Sequence, residues 1–156
     1  MARIGILSCS NCTQETDCCM WACLKDLRKR KGFFERYPAN EPLDLVGVIN
    51  CAGCPTNAVP EKILRKVRAL ASFKLDALHL TYCMTALCPF QKAYQKVIAE
   101  AFPHLEVIEG THTPIDGGEF KRAMRELLNP TLIRPMAMTD LIKGDLKVPG
   151  KPLKFY

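Results

Sequence analysis

Three apolar, strand-like runs in this chain are each followed closely by a pair of cysteines. The runs are residues 4–7, 45–49 and 77–80, and the pairs that follow them are Cys9 and Cys12, Cys51 and Cys54, and Cys83 and Cys88. In an open parallel α/β sheet, ligands bind beyond the carboxyl ends of the strands, where residues distant in sequence meet. The pattern therefore predicts one shared site at that edge of a sheet.

The segments between these runs have helical patterns, and the alternation defines the fold class. The predicted strands are 2–8, 44–50, 76–82 and 105–109, and the predicted helices are 21–31, 59–73, 89–101 and 118–128. Such alternation favours a parallel sheet with right-handed crossovers and helices on both faces. We expect a single-domain, flavodoxin-like or Rossmann-like open sheet of about four strands, and the flavodoxin order 2-1-3-4 fits four short units.

The last part of the chain breaks this rhythm. Four prolines and four lysines fall between residues 130 and 154. We therefore expect an α/β metal-binding domain over 1–128 and a Pro/Lys-rich extended arm over 129–156. An arm of this kind could lie on a neighbouring subunit, which is our reason for considering a homodimer.

Hydropathy and charge exclude some classes of function. No run approaches the roughly 18 apolar residues of a membrane helix, and residues 1–3 lead into a strand rather than into a signal peptide. We therefore expect a cytoplasmic protein without a membrane partner. The formal charge of +6 counts every thiol as neutral, whereas metal-bound cysteines are thiolates. A nucleic-acid partner is accordingly not expected.

Nine cysteines make an odd number in a chain expected in a reducing compartment. Such cysteines more often bind metal or carry out redox chemistry than form disulfides. Cys51 and Cys54 lie three residues apart, and Gly53 between them allows a tight turn. Pro55 suits a first helical position, which would make Cys54 an N-cap where the helix dipole stabilises a thiolate. Cys88-Pro89 repeats this arrangement at the next crossover.

The N-terminal cysteines and one histidine extend the candidate site. Five thiols, at Cys9, Cys12, Cys18, Cys19 and Cys23, exceed what one small site needs. Four thiolates complete a zinc site or a four-iron cluster, so nine cysteines could supply two centres, although one is the simpler hypothesis. His112 ends the fourth predicted strand and could act as a ligand, a hydrogen-bond donor or a proton carrier. His79 and His104 are expected to be structural.

The combination of these motifs resembles the CGGC domain family over residues 3–112. The shared features are the Cys-x-Gly-Cys-Pro turn, the Cys-Pro pair after the third strand, and Gly110-Thr111-His112. The resemblance implies a small cytoplasmic metal-binding protein, for which zinc has been suggested, without a defined reaction. It implies site positions at Cys9, Cys18, Cys23, Cys51, Cys54, Cys83, Cys88 and His112. Ala52 replaces the first glycine of the family motif, and Cys12 and Cys19 are additional.

Three functional hypotheses follow from these residues. The first is an iron–sulfur protein, most simply 4Fe–4S, ligated by Cys9, Cys51, Cys54 and either Cys83 or Cys88, which would serve electron transfer with a redox partner protein or small-molecule redox chemistry. The second is a zinc-binding structural or metal-handling module. The third is a metal-free dithiol oxidoreductase that uses the Cys51–Cys54 turn. Whether the protein is an enzyme stays open.

Overall fold

The computed structural model of the chain describes residues 1–14, 16–53, 60–114 and 116–128, with residue 60 and residues 125–128 described for their backbone alone. The first compact unit is Met1–Lys121, and a second begins at Arg122. The predicted boundary between a domain at 1–128 and an arm at 129–156 stays a prediction, because the arm lies outside the described residues.

Four strands and six α-helices alternate along the described chain. The strands are β1 (Ala2–Ser8), β2 (Leu43–Asn50), β3 (Ala77–Leu80) and β4 (Glu106–Ile108). The helices are α1 (Ser10–Gln14), α2 (Trp21–Lys29), α3 (Pro60–Ala71), α4 (Tyr82–Leu87), α5 (Gln91–Ala101) and α6 (Gly117–Leu128), with a 3-10 helix at Gly32–Phe34.

The strands form one parallel sheet in the order β2-β1-β3-β4. The predicted fold class and strand order are therefore confirmed. Ser8 of β1 is in register with Asn50 of β2, and Leu7 is in register with Leu80 of β3. The carboxyl ends of the first three strands consequently lie side by side, directly before the cysteines.

The core consists of one apolar cluster on each face of the sheet. Successive side chains of a strand point to opposite faces, so Ile4 and Ile6 of β1 pack with Phe34 on one face, whereas Leu7 packs on the other. The cluster on the face of Leu7 also includes Ile63, Val67 and Leu70 of α3 and Tyr94 and Ile98 of α5. Burial on both faces of β1 and β3 explains why these two strands are runs of apolar residues rather than alternating ones.

The segment after β3 differs from the prediction. The strand ends at Leu80, and α4 begins at Tyr82, so the predicted strand 76–82 is too long. Cys88 is the C-cap of α4, with its backbone N–H bonded to the carbonyl oxygen of Met84, and α5 begins only at Gln91. The predicted N-cap role of Cys88 is therefore wrong. A six-residue helix is too short to show a periodicity that would separate it from a strand end.

Candidate metal centre

Three strand ends bring four cysteines to the carboxyl edge of the sheet. Cys9 directly follows β1, and Cys12 lies within α1. Cys51 directly follows β2, and Cys83 lies in the first turn of α4 after β3. Cys12 and Cys51 are buried, and the other two are partly buried.

These four thiols, which we call the thiol quartet, are linked by pairwise interactions in which Cys51 contacts Cys9 alone. The Cys9 thiol interacts with the thiols of Cys12, Cys51 and Cys83. Cys12 interacts in addition with Cys83. Sulfur atoms that are up to 74 residues apart in sequence therefore share one small region.

Polar hydrogens also surround the sulfur atoms of the quartet. The backbone N–H of Ser10 donates to Cys51 Sγ at 3.2 Å. The hydroxyl of Thr81 lies 3.0 Å from Cys83 Sγ, and the backbone N–H of Cys9 donates to the same sulfur. Donors that point at sulfur stabilise its thiolate form. These hydrogen bonds therefore favour the thiolate forms of Cys51 and Cys83.

The hydrogen bonds between the thiols divide the quartet into donors and acceptors. Donation from Cys12 and Cys9 lowers the pKa of Cys83, and donation from Cys12 and Cys51 lowers the pKa of Cys9. Donation to Cys83 raises the pKa of Cys12, and donation to Cys9 raises that of Cys51. Cys83 and Cys9 are therefore the members that lose a proton most readily, and a positive partner would stabilise their thiolates.

The quartet is a gathered set of donors rather than a formed coordination shell. In the described ranges, no group of three or more His, Cys, Asp or Glu side chains is arranged to hold a metal ion. The pairwise contacts are compatible with this result, because thiols that hydrogen-bond to one another need not point at a common centre. Ligation would require the side chains to turn inward. Cys54, the remaining member of the predicted turn, lies outside the described residues.

Two cysteines of the predicted site lie beside the quartet rather than in it. Cys23 of α2 is buried, its Sγ lies 3.2 Å from Thr111 Oγ1, and burial raises the pKa of its thiol to about 11. Cys18 is exposed, although its backbone N–H bonds to the carbonyl oxygen of Cys12 at 3.0 Å. Neither arrangement tests the predicted ligand role.

Cys88 and His112 occupy other surroundings. Cys88 packs against the core cluster on the α3 and α5 face of the sheet. His112 Nδ1 donates to the carbonyl oxygen of Thr113 at 2.8 Å, and its ring faces Tyr82 at 5.2 Å between centroids. Tyr82 is the residue immediately before Cys83 in α4. The predicted role of His112 as a ligand stays a prediction.

Sequence reasoning missed two residues that position the site. Lys66 of α3 donates from Nζ to the carbonyl oxygens of Asn50, at 2.9 Å, and Cys51, at 3.1 Å. Asp26 of α2 is buried and accepts hydrogen bonds from the backbone N–H of Thr113, at 2.9 Å, and its hydroxyl, at 3.2 Å. These bonds lower the pKa of Asp26. In the sequence, nothing separates Lys66 from the other cations of an amphipathic helix.

Comparison with known proteins identifies the family. The family model of the CGGC domain matches residues 3–112, which is more than two thirds of the chain. The chain belongs to the CGGC domain family. No curated protein and no solved structure matches it. Membership of this family, together with the gathered cysteines, indicates metal binding. No helix in the described ranges of this CGGC domain has the length and apolar character to cross a membrane.

Proposed function

We propose that this CGGC domain binds a metal through the thiolates of Cys9, Cys12, Cys51 and Cys83. The observation that supports this proposal best is the contact among the four thiols at the carboxyl edge of the sheet. Four cysteines are a complete ligand set for zinc or for an iron–sulfur cluster. The donors from Ser10 and Thr81 would orient the sulfurs and stabilise their charge.

A single zinc ion is our first candidate occupant, because four thiolates complete its coordination without any further component. An iron–sulfur cluster needs four thiolates together with iron and inorganic sulfide. The simpler requirement places zinc before the cluster, which reverses the order of the first two hypotheses drawn from the sequence. A zinc ion here would hold three strand ends together or be bound for transfer to another protein.

An iron–sulfur cluster is the second candidate, and a separate observation favours it. N–H and O–H groups approach the sulfurs of Cys51 and Cys83, and hydrogen bonds to sulfur help to set the reduction potential of such clusters. The five cysteines outside the quartet could also exchange with its members. A cluster would supply one-electron chemistry for electron transfer to a partner protein or for small-molecule redox reactions.

The metal-free dithiol hypothesis has weaker support. The attacking group in thiol–disulfide exchange is a thiolate, whereas the thiol of Cys51 donates to Cys9 and its pKa is raised. Cys54 would have to be the nucleophile in its place, and Cys54 lies outside the described residues.

The experiment is a metal analysis of the protein purified without oxygen. Zinc, iron and inorganic sulfide are measured per chain together with the visible absorption spectrum. We expect about one zinc in a colourless protein, whereas matched iron and sulfide in a brown protein would establish the cluster. Wild-type protein that binds neither metal would refute metal binding and leave the dithiol hypothesis.

Single Cys→Ser variants of the quartet then test the ligand set. Each is compared with Cys19→Ser, a matched control because Cys19 is exposed and outside the quartet. We expect metal loss in the quartet variants and wild-type content in the control. Since a quartet variant could fail to fold, Co²⁺ is also titrated into the apo-protein, where thiolate-to-cobalt absorption should weaken with each ligand lost. Wild-type metal and cobalt spectra in all four variants would refute the assignment.

A further inference from the structure

An open cavity of about 510 Å³ lies along α2, on the surface of the first unit. Its lining residues are Cys19, Trp21, Leu24, Lys25, Arg28 and Lys29. We call it the α2 groove. Small-molecule sites have volumes of roughly 300–1,000 Å³, so the groove has the size for one small ligand.

The α2 groove carries a concentrated positive charge. Lys25, Arg28 and Lys29 are three and four residues apart, which places them on the same side of the helix. Within the described chain, none of the three forms a salt bridge. The neighbouring Asp26 is buried and bonded to Thr113. The charge of the groove is therefore available to an anionic ligand.

The apolar part of the groove is also open to a ligand. The side chain of Trp21 is 66% exposed, and the ammonium group of Lys25 lies 4.7 Å from the centre of its ring. Trp21 is the single tryptophan of the chain. Its fluorescence can therefore report directly on occupation of the groove.

The third chemical group of the groove is a thiol. Cys19 is exposed and lines the cavity, whereas its neighbour Cys18 is exposed but does not. A ligand that matched the whole groove would combine carboxylates, a small apolar portion and sulfur. These are the features of an anionic low-molecular-weight thiol or its disulfide, such as a glutathione-like peptide.

We propose that the α2 groove binds anionic low-molecular-weight disulfides and that Cys19 is the site at which they form a mixed disulfide. Cys19 loses its proton to solvent, and its thiolate attacks one sulfur of the bound disulfide. A new S–S bond forms as the original one breaks. The leaving half departs as a thiolate with the electron pair of the broken bond and takes a proton from solvent. Cys19 is thereby oxidised from the thiol to the disulfide level, the leaving sulfur is reduced from the disulfide to the thiol level, and the attached half keeps its oxidation level. The proposal does not depend on the metal centre, since Cys19 lies outside the thiol quartet.

The test compares two disulfides of opposite charge on the protein as purified. Glutathione disulfide and the cationic disulfide cystamine are each added at low ionic strength, and adducts at Cys18 and Cys19 are quantified by peptide mapping. We expect glutathione disulfide to modify Cys19 several-fold faster than Cys18. The double variant Arg28→Glu/Lys29→Glu should slow this reaction roughly tenfold and accelerate the reaction with cystamine.

The matched control is Lys62→Glu/Arg65→Glu, which makes the same charge change on exposed positions of α3. It should leave both reactions at Cys19 close to wild type. Equal reactivity of Cys18 and Cys19 would overturn the proposal, as would faster reaction of wild type with cystamine. An effect of the α3 variant as large as that of the α2 variant would also overturn it, because net charge alone would then explain the rates.

A binding measurement separates recognition from reactivity. S-methylglutathione cannot form a disulfide, so its binding is followed by the fluorescence of Trp21. We expect a saturable change that weakens with added salt and disappears in Arg28→Glu/Lys29→Glu. A signal without saturation, or one unchanged in that variant, would show that the groove does not recognise the anionic peptide.

Discussion

Protonation of the buried histidine of β3 should make the stability of this CGGC domain depend on pH. His79 is 0% exposed. Its Nδ1 lies 2.7 Å from the carbonyl oxygen of Gly110, which can only accept, so Nδ1 carries the hydrogen. Its Nε2 then accepts from the hydroxyl of Tyr37 at 2.8 Å. Both ring nitrogens are thus satisfied by a neutral imidazole.

The charged form of this ring is disfavoured by its surroundings. Burial lowers the pKa of His79 from 6.5 to about 4. The nearby charges are those of Arg36 and Glu106, which pair with each other at 2.6 Å and oppose each other in their effects on the ring. Desolvation therefore dominates.

The direction and size of the effect follow from this shift. In the unfolded chain the histidine binds a proton below about pH 6.5, whereas in the folded protein it does so only below about pH 4. The unfolded state thus binds more protons between these values, and the free energy of unfolding falls as the pH is lowered. At about 1.4 kcal/mol per pKa unit, the loss approaches 3 kcal/mol at pH 4.

The assay is urea unfolding of wild type and His79→Gln between pH 7 and pH 4. Subtracting the two free energies removes contributions common to both proteins, including acid release of a bound metal. We expect the advantage of wild type to shrink by about 3 kcal/mol across this range. His104→Gln, at an exposed position, is the control and should follow wild type. Parallel curves for wild type and His79→Gln would refute the reasoning.

Three further substitutions test the supports of the site. Lys66→Met removes both hydrogen bonds from Lys66 to the end of β2. It should weaken metal affinity, measured by competition with a chelator, about tenfold, which is the lower end of the range for groups that orient metal ligands. Lys62→Met should have no such effect, and equal affinities would contradict the role of Lys66. Asp26→Asn should cost about 1–2 kcal/mol in urea unfolding at pH 7, because Thr113 loses bonds to a charged acceptor. The difference in unfolding free energy should diminish in acid, where the Asp26 carboxylate of wild type becomes protonated. A difference that did not change with pH would contradict the role of the charged carboxylate. Gly110→Ala would place a Cβ 2.3 Å from the ring of a neighbouring phenylalanine and should destabilise the protein by about 1–3 kcal/mol, whereas an unchanged melting temperature would show that this ring moves freely.

The sheet could be predicted from the sequence because its signal is local. Each buried strand is a continuous apolar run, and the intervening α3 has a clear amphipathic pattern. The predicted strand order 2-1-3-4 was the flavodoxin order that fits four short strand–helix units, and the sheet has that order. The first cysteine of each pair then had to lie at the carboxyl edge.

The membership of the thiol quartet could not be predicted in the same way. The sequence makes Cys12 one of several candidate ligands and additional to the family's positions, and the structure shows that it interacts with both Cys9 and Cys83. The cause is α1, a five-residue helix that places Cys12 one turn after Cys9, where residues three apart lie on the same side. So short a helix shows no usable periodicity. The N-cap prediction for Cys88 was wrong for a related reason. The short helix α4 occupies the residues between the end of β3 and the Cys-Pro pair, so that Cys88 ends a helix instead of beginning one.

The loop after β4 shows how the family's last matched residues can matter without ligating a metal. His79 of β3 bonds to Gly110, the backbone N–H of Phe33 donates to the carbonyl oxygen of Thr111 at 3.1 Å, and Asp26 of α2 bonds to Thr113. Gly32 allows this approach, because its φ is +60° and a Cβ there would lie 2.6 Å from the Thr113 nitrogen. Bonds from β3, the 3-10 helix and α2 thereby fix the loop that carries Thr111, whose hydroxyl contacts the buried Cys23. Gly110 and Thr111 thus have a structural explanation, because their contacts connect α2 and its Cys23 to the sheet.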